Sequence, residues 1–252
     1  MVGINALDAR WLHEGAADEN QYQEFLTRRQ AGEPVHRILG WREFWGMKFY
    51  LSPETLEPRP DSETMIEVLL KETPDKNFQF RILDMGTGTG CLLLAALKEF
   101  PNATGIGIDQ SADAIATAEK NAIENNLAAR AKFLQLDWHD TDRLCALGTF
   151  DIILCNPPYI PTHNIEDLQS EVRQHDPMRA LDGGPDGLAP YRIIAPHLAH
   201  LLKRTAIALF EFGHDQATDI QDIMSSHHYQ TSPAYQDLGG NDRVIIVSNK
   251  NS

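Results

Sequence analysis

A short apolar run, Phe80 to Leu83, is followed by Asp84, Met85, Gly86, Thr87, Gly88, Thr89 and Gly90, and then at once by the apolar stretch Cys91 to Phe100. Few arrangements satisfy that order. The run is short and reads as a strand, whereas the stretch is long enough for a helix. Alternating glycines let the backbone turn sharply between them and approach a neighbour closely, because no Cβ intervenes. The same texture continues on both sides. Ser62 to Lys71 reads as a helix, Ala103 to Ile108 as a strand, Ser111 to Asn125 as a helix, and Lys132 to Leu136 and Phe150 to Cys155 as strands. Thr205 to Phe212, Tyr229 to Tyr235 and Val244 to Val247 complete the strands, the last two as an antiparallel hairpin. Such alternation predicts an α/β fold: a mostly parallel sheet covered by helices on both faces. Ligands of such sheets bind beyond the carboxyl ends of the strands, near the switch in strand order.

The part before this pattern has a different character. Ala9, Leu12, Tyr22, Phe25 and Leu26 are the apolar positions of short helices between Asn5 and Leu39, broken by a polar Gly15–Asn20 segment. Aromatic residues around Gly46, from Trp41 to Leu51, predict a β-hairpin that Pro53, Pro58 and Pro60 bring to an end. These shifts divide the chain into a small helical domain (1–40), a hairpin linker (41–60) and a larger domain (61–252). A chain of 252 residues, 42% hydrophobic and 23% charged, carries enough apolar material for that plan. No apolar run reaches bilayer length, and Met1 to Arg10 lacks the pattern of a signal peptide. The three cysteines, Cys91, Cys145 and Cys155, form no Cys-x-x-Cys pair and read as reduced core thiols of a cytoplasmic protein. A net charge of −14 makes nucleic acid a poor default partner, since such binding rests on cations that neutralise phosphates. The ten histidines show no paired spacing, so no metal site is expected.

Further positions bear on chemistry. Asp109 ends the second strand, where its carboxylate can accept both hydroxyls of a ribose; it could equally cap the helix that follows. Asp137 and Trp138 follow the third strand, with core packing as the plain alternative for the tryptophan. Asn156, Pro157, Pro158 and Tyr159 follow the fourth strand. This string could be only a rigid turn, but its place at a strand's carboxyl end, opposite the glycine loop, argues for a site. A planar amide or amino nitrogen is a poor nucleophile because its lone pair is delocalised. The Asn156 side-chain oxygen and the Pro157 carbonyl could each accept one N–H of such a group, leaving its lone pair facing an electrophile. Tyr159 offers an aromatic face to a planar substrate. Positioning then supplies most of the catalysis, with neither a tuned base nor a metal. Glu211 could line the same pocket or make a structural hydrogen bond. Arg59, between Pro58 and Pro60, could pair with an acidic residue at the domain junction.

The glycine loop alone leaves nucleotide, flavin and methyl-donor cofactors open. Its spacing, Gly86-x-Gly88-x-Gly90, is one residue tighter than the dinucleotide fingerprint and resembles the first motif of class I methyltransferases. The ordered set of short strings is more specific. Gly32-Glu33-Pro34, Ile38-Leu39-Gly40, Arg42 to Gly46, Pro58 to Asp61, Asn156 to Pro161, Glu171-Val172, Ala180 to Leu188, Glu211-Phe212-Gly213 with Gln216, and Asp237 to Val244 resemble the peptide chain release factor N5-glutamine methyltransferases. The resemblance spans about Asp8 to Val247, with a segment before Gly32 that is shorter than in typical members. It implies a class I, Rossmann-like methyltransferase domain with a seven-stranded sheet, and S-adenosylmethionine as methyl donor. Asp84, Gly86, Thr87, Gly88, Thr89, Gly90, Asp109, Trp138 and Asn156 are implied to contact the donor. Asn156, Pro157, Pro158 and Tyr159 are implied to cradle the glutamine amide, with Asn156, Pro157 and Tyr159 carrying catalysis. The implied partner is a release factor, methylated by a monomer that binds neither nucleic acid nor membrane. Rival readings are glutamine methylation of a ribosomal protein, N6-adenine methylation of nucleic acid, and a binding module without catalysis. The last predicts erosion of the glycine loop or of Asn156, and both are intact.

Overall fold

A computed structural model describes residues 3–250. Helices α1 (Ala6–Gly15), α2 (Glu19–Gln30) and α3 (Val35–Leu39) come first. Asn5 and Asp18 cap the first two, their side chains accepting from the Asp8 and Gln21 amides. Leu12, Phe25, Val35 and Ile38 form a small core of their own. The hairpin follows as β1 (Trp41–Phe44) and β2 (Met47–Tyr50). Phe44, Met47 and Phe49 are buried in the core of the larger domain, so the hairpin is fastened to that domain.

The larger domain alternates as the sequence predicts: α4 (Glu63–Glu72), β3 (Arg81–Met85), α5 (Cys91–Glu99), β4 (Thr104–Asp109), α6 (Ala112–Glu124), β5 (Ala131–Gln135), α7 (Thr141–Cys145) and β6 (Phe150–Cys155). After α8 (Ser170–His175), α9 (Ala189–Ile194) and α10 (Leu198–Leu201) come β7 (Leu202–Glu211), α11 (Ala217–Ser226), β8 (Tyr229–Thr231), β9 (Tyr235–Gln236) and β10 (Asp242–Asn249). The strand order is β5-β4-β3-β6-β7-β10-β8. From β5 to β7 neighbours are parallel, and β10 lies antiparallel to β7. The edge expected as one strand, Tyr229 to Tyr235, is two short strands that both pair with β10, which makes eight in all. Pro233 lies between them and cannot donate to a ladder.

Side chains alternate along each central strand. Ile82, Ile152, Leu154 and Leu209 face a core shared with α4, α5, α6 and the hairpin. Leu83, Ile153, Cys155 and Phe210 face a second core shared with α9, α10 and α11. Each such side chain, fully buried, contributes about 1.5–3 kcal/mol, and both faces of the sheet are therefore held. Strand order reverses at β3, which has β4 on one side and β6 on the other. Met85 pairs with Cys155 there, so Gly86 and Asn156 leave adjacent strands at the same height.

Ion pairs join the helical unit to the segment after Asn156. Arg29 bonds Asp8 at 2.8 Å and Glu171 at 2.6 Å. Asp176, nearly buried, takes Arg37 on one oxygen at 2.6 Å and Arg59 on the other. This is the junction pairing expected of Arg59. No described helix is long and apolar enough to cross a membrane.

Candidate active site

A cleft opens beyond the carboxyl ends of β3, β4, β5 and β6, enclosing about 920 Å³ of empty space with its mouth included. That is the size of a small-molecule site. Gly86, Thr87, Gly88, Thr89, Asp109 and Trp138 line one side, and Asn156 and Pro158 line the other. Asp84, Gly90, Pro157 and Tyr159 are not on its surface.

The glycine loop is shaped by its own backbone and by β4. The Ile108 carbonyl accepts the Gly86 amide at 2.9 Å and the Thr87 amide at 2.8 Å, and Gly90 donates back to the Thr87 carbonyl. Gly86, Gly88 and Gly90 all have positive φ, which other residues rarely adopt. Their surroundings differ. A Cβ on Gly86 would press on the Trp138 ring at 3.2 Å, and one on Gly90 would press on Ala118 and Phe133. A Cβ on Gly88 would meet nothing. Gly88 is thus the point of the loop that a ligand can approach closely.

Asp109 does not cap the helix after it, since Ser111 fills that role by accepting the Ala114 amide. Its two oxygens instead accept the Ser111 and Gly88 amides, at 2.9 and 3.0 Å. Each oxygen can accept a further hydrogen bond, and Asp109 lines the cleft. Burial raises the Asp109 pKa, and the two amides pull it back. A carboxylate so held, beside an open Gly88 and a tryptophan ring, fits the ribose and adenine of S-adenosylmethionine. Asp84 lies beneath the loop. Its Oδ2 accepts the Thr87 hydroxyl at 2.6 Å while its Oδ1 has no partner. Burial pushes this carboxyl up to about 7. The thiol of Cys91, also at the cleft, is pushed by burial up to about 12. All three cysteines are unpaired.

The Asn156–Tyr159 turn is held from a distance. Asn156 Nδ2 donates to Ser62 Oγ at 3.2 Å, which turns Oδ1 away from Ser62. The Tyr159 carbonyl accepts Gln216 Nε2 at 2.9 Å, and Ile160 exchanges backbone bonds with Leu181 and Gly183. A Cβ on Gly183 would lie 2.8 Å from the Pro158 oxygen, and one on Gly187 would lie 2.3 Å from the Tyr159 oxygen. Only glycine fits at either place. Tyr159 packs against the second core with its ring beside Gly213, and burial raises its pKa. Arg179 and Glu54 also line the cleft, joined at 2.5 Å, and connect the linker to the far wall. Ser62 and Arg179 were not marked as site residues by the sequence, whereas Gly183 and Gly187 fall within a string of the family resemblance and Gln216 was named with another. Ser62 carries no sequence signal beyond its place after Asp61. Among the described residues no group of three His, Cys, Asp or Glu side chains is placed to hold a metal ion.

Known proteins share sequence and fold with this chain. A family described as "Methyltransferase domain" matches residues 76–194. The chain is 48% identical over 237 residues to the release factor glutamine methyltransferase of Agrobacterium fabrum, covering 92% of this chain and 81% of that protein. It is 43% identical over 249 residues to the protein of the same name from Bradyrhizobium diazoefficiens, covering 97% and 82%. Among solved structures, the hMettl16 catalytic domain, in complex with the MAT2A 3'UTR hairpin 6, superposes with a TM-score of 0.66 at 15% identity, covering 86% of this chain and 82% of that one. That likeness concerns the fold alone.

Proposed function

Because the chain belongs to the release factor glutamine methyltransferase family, we propose that its cleft carries a methyl group from S-adenosylmethionine to the side-chain amide of the glutamine in the Gly-Gly-Gln motif of a release factor. The donor supplies an electrophilic methyl group on a positively charged sulfur. The chain supplies the placement. Gly88 leaves room beside the loop, Asp109 accepts the ribose hydroxyls, and Trp138 covers the adenine. Asn156 Oδ1 and the Pro157 carbonyl accept the two N–H groups of the substrate amide and favour the positive charge that grows on nitrogen. Pro158, on the cleft surface, flanks the amide plane, and Tyr159, packed behind it, holds the turn in place. The proton leaves after transfer.

The observation that carries this reading is the shared height of Gly86 and Asn156 on adjacent strands. It sets the donor loop and the amide-holding turn across one cleft, as in-line transfer requires. The helical unit, residues 1–40, is taken as the part that recognises the release factor, with 41–60 joining it to the transfer domain, 61–252. The enzyme is taken to act as a cytoplasmic monomer.

The test is to incubate the protein with labelled methyl donor and, separately, a purified release factor, ribosomal protein and DNA. Label is expected on the Gly-Gly-Gln glutamine. Label on nucleic acid alone would overturn the substrate.

A further inference from the structure

β7 runs parallel to β6 with Phe210 level with Cys155, so Glu211 ends its strand beside the point where Asn156 leaves the sheet. The Glu211 side chain is 1% exposed. Its backbone is fixed, the carbonyl accepting the Tyr191 hydroxyl at 2.7 Å. Asn156 Nδ2 donates to Ser62 Oγ at 3.2 Å, the Ser62 and Asn156 side chains both favour the ionised Glu211 carboxyl, and Oε2 has no partner. A carboxyl in such a place is costly to bury.

The chemistry of asparagine gives it a use. The two ends of an amide are nearly the same shape, and half a turn about the last side-chain bond exchanges acceptor for donor. With NH2 turned outward, Asn156 would meet the substrate NH2 donor to donor. The Ser62 hydroxyl cannot prevent this, because a hydroxyl both donates and accepts and would satisfy either end. An ionised carboxylate only accepts. We propose that Glu211 is a positioning residue for the transfer: its carboxylate selects the Asn156 orientation with NH2 inward and Oδ1 presented to the substrate amide. This rests on the acceptor role given to Asn156 above.

The device works only while Glu211 is ionised. Protonation gives it an O–H donor, and the selection is lost. Burial pushes this carboxyl up to about 7, with Ser62, Arg243 and Asn156 drawing it down and Asp61 adding to the rise. Burial raises the pKa of Tyr159, Tyr191, Cys155 and Cys91, and the charge of Glu211 adds to the rise of each. Arg243 is the one cation acting on it in this set, and is itself bound to Asp237 and to the Phe212 carbonyl. Turnover at saturating substrates is therefore expected to rise with pH through an apparent pKa near 7.

The experiment compares wild type with Glu211→Gln and Ser62→Ala, using a purified release factor and labelled donor from pH 6 to 8.5. Glu211→Gln can present either end of its own amide, so kcat is expected to fall about 10- to 100-fold, the effect of losing a charge-assisted hydrogen bond. The pH dependence should disappear with it, and donor affinity by calorimetry should change less than about threefold. Ser62→Ala should lower kcat less and keep the pH dependence. Wild-type kcat and pH profile in Glu211→Gln would overturn the proposal. Should that variant fail to fold, the wild-type profile decides: a flat one across this range overturns it, and a rise near pH 7 that persists in Ser62→Ala supports it. Absence of release-factor methylation by wild type would instead count against the function itself.

Discussion

The two walls of the cleft are built in opposite ways. The donor wall is local: its turn is closed by bonds among residues 86–90 and to the Ile108 carbonyl, and its glycines lie within five positions. The amide-holding wall is remote. Its turn is braced by Ser62, Gly183, Gly187 and Gln216, up to 94 residues away in the chain. The donor wall takes most of its shape from its own turn, with Asp109 and Asn121 as its ties to neighbouring elements. The other is only as accurate as the parts that converge on it, and on the proposed function it is the one on which reactivity depends. Binding the donor and orienting the amide are thus separable by substitution.

Asn156→Ala gives the largest separation. It should lower kcat on the order of 100- to 1,000-fold, as loss of a preorganised acceptor does, with donor affinity nearly unchanged. Collapse of donor binding with normal turnover of the residual complex would join what is here kept apart. Gly187→Ala comes next. Its Cβ must displace the Tyr159 oxygen, and a shift approaching 1 Å in a reacting geometry costs about 100-fold. Stopped turnover with intact donor binding is expected from single-turnover and calorimetric measurements. Gly88→Ala should show the reverse, weakening donor affinity roughly tenfold or more because the Cβ enters ligand space at a positive φ. Asp109→Asn exchanges an anionic acceptor for a neutral one and should weaken the donor by about tenfold, again with kcat retained at saturation.

The smallest effect concerns Asp84, on the donor side but beneath its surface. A carboxyl raised by burial holds its proton more tightly folded than unfolded, so its charge costs stability above its unfolded pKa. In the donor-free protein, wild type should therefore gain stability relative to Asp84→Asn as pH falls from about 7 toward about 4. The difference is measured because His36 and His197, with lowered pKa, act the other way below about 6.5 in both proteins. A constant difference across that range would mean that Asp84 carries no such penalty.

Reading the sequence succeeded where structure is made by neighbours. The glycine loop, the hairpin about Gly46 and the strand ending at Cys155 are local patterns of turn chemistry and apolar spacing. Asn156 was legible because proline follows it twice at a strand's end. What escaped notice depends on residues far apart in the chain. Ser62 matters because β6 passes it, and the partner of Glu171, itself named only as part of a family string, is Arg29 across the junction, 142 positions earlier. The edge strand was drawn too long because its apolar character runs on past Pro233, whose missing N–H decides the break.

Asn121 has a consequence of a mechanical kind. Its oxygen accepts the Tyr50 amide, and its nitrogen donates to the Tyr50 and Thr89 carbonyls. One amide therefore ties the hairpin's edge to the donor loop, and neither can open without giving up bonds shared with the other. On the proposed function, heat that frays the hairpin also loosens the grip on the donor, so retention of the bound molecule and protection of the Tyr50 amide proton from solvent exchange should fail together.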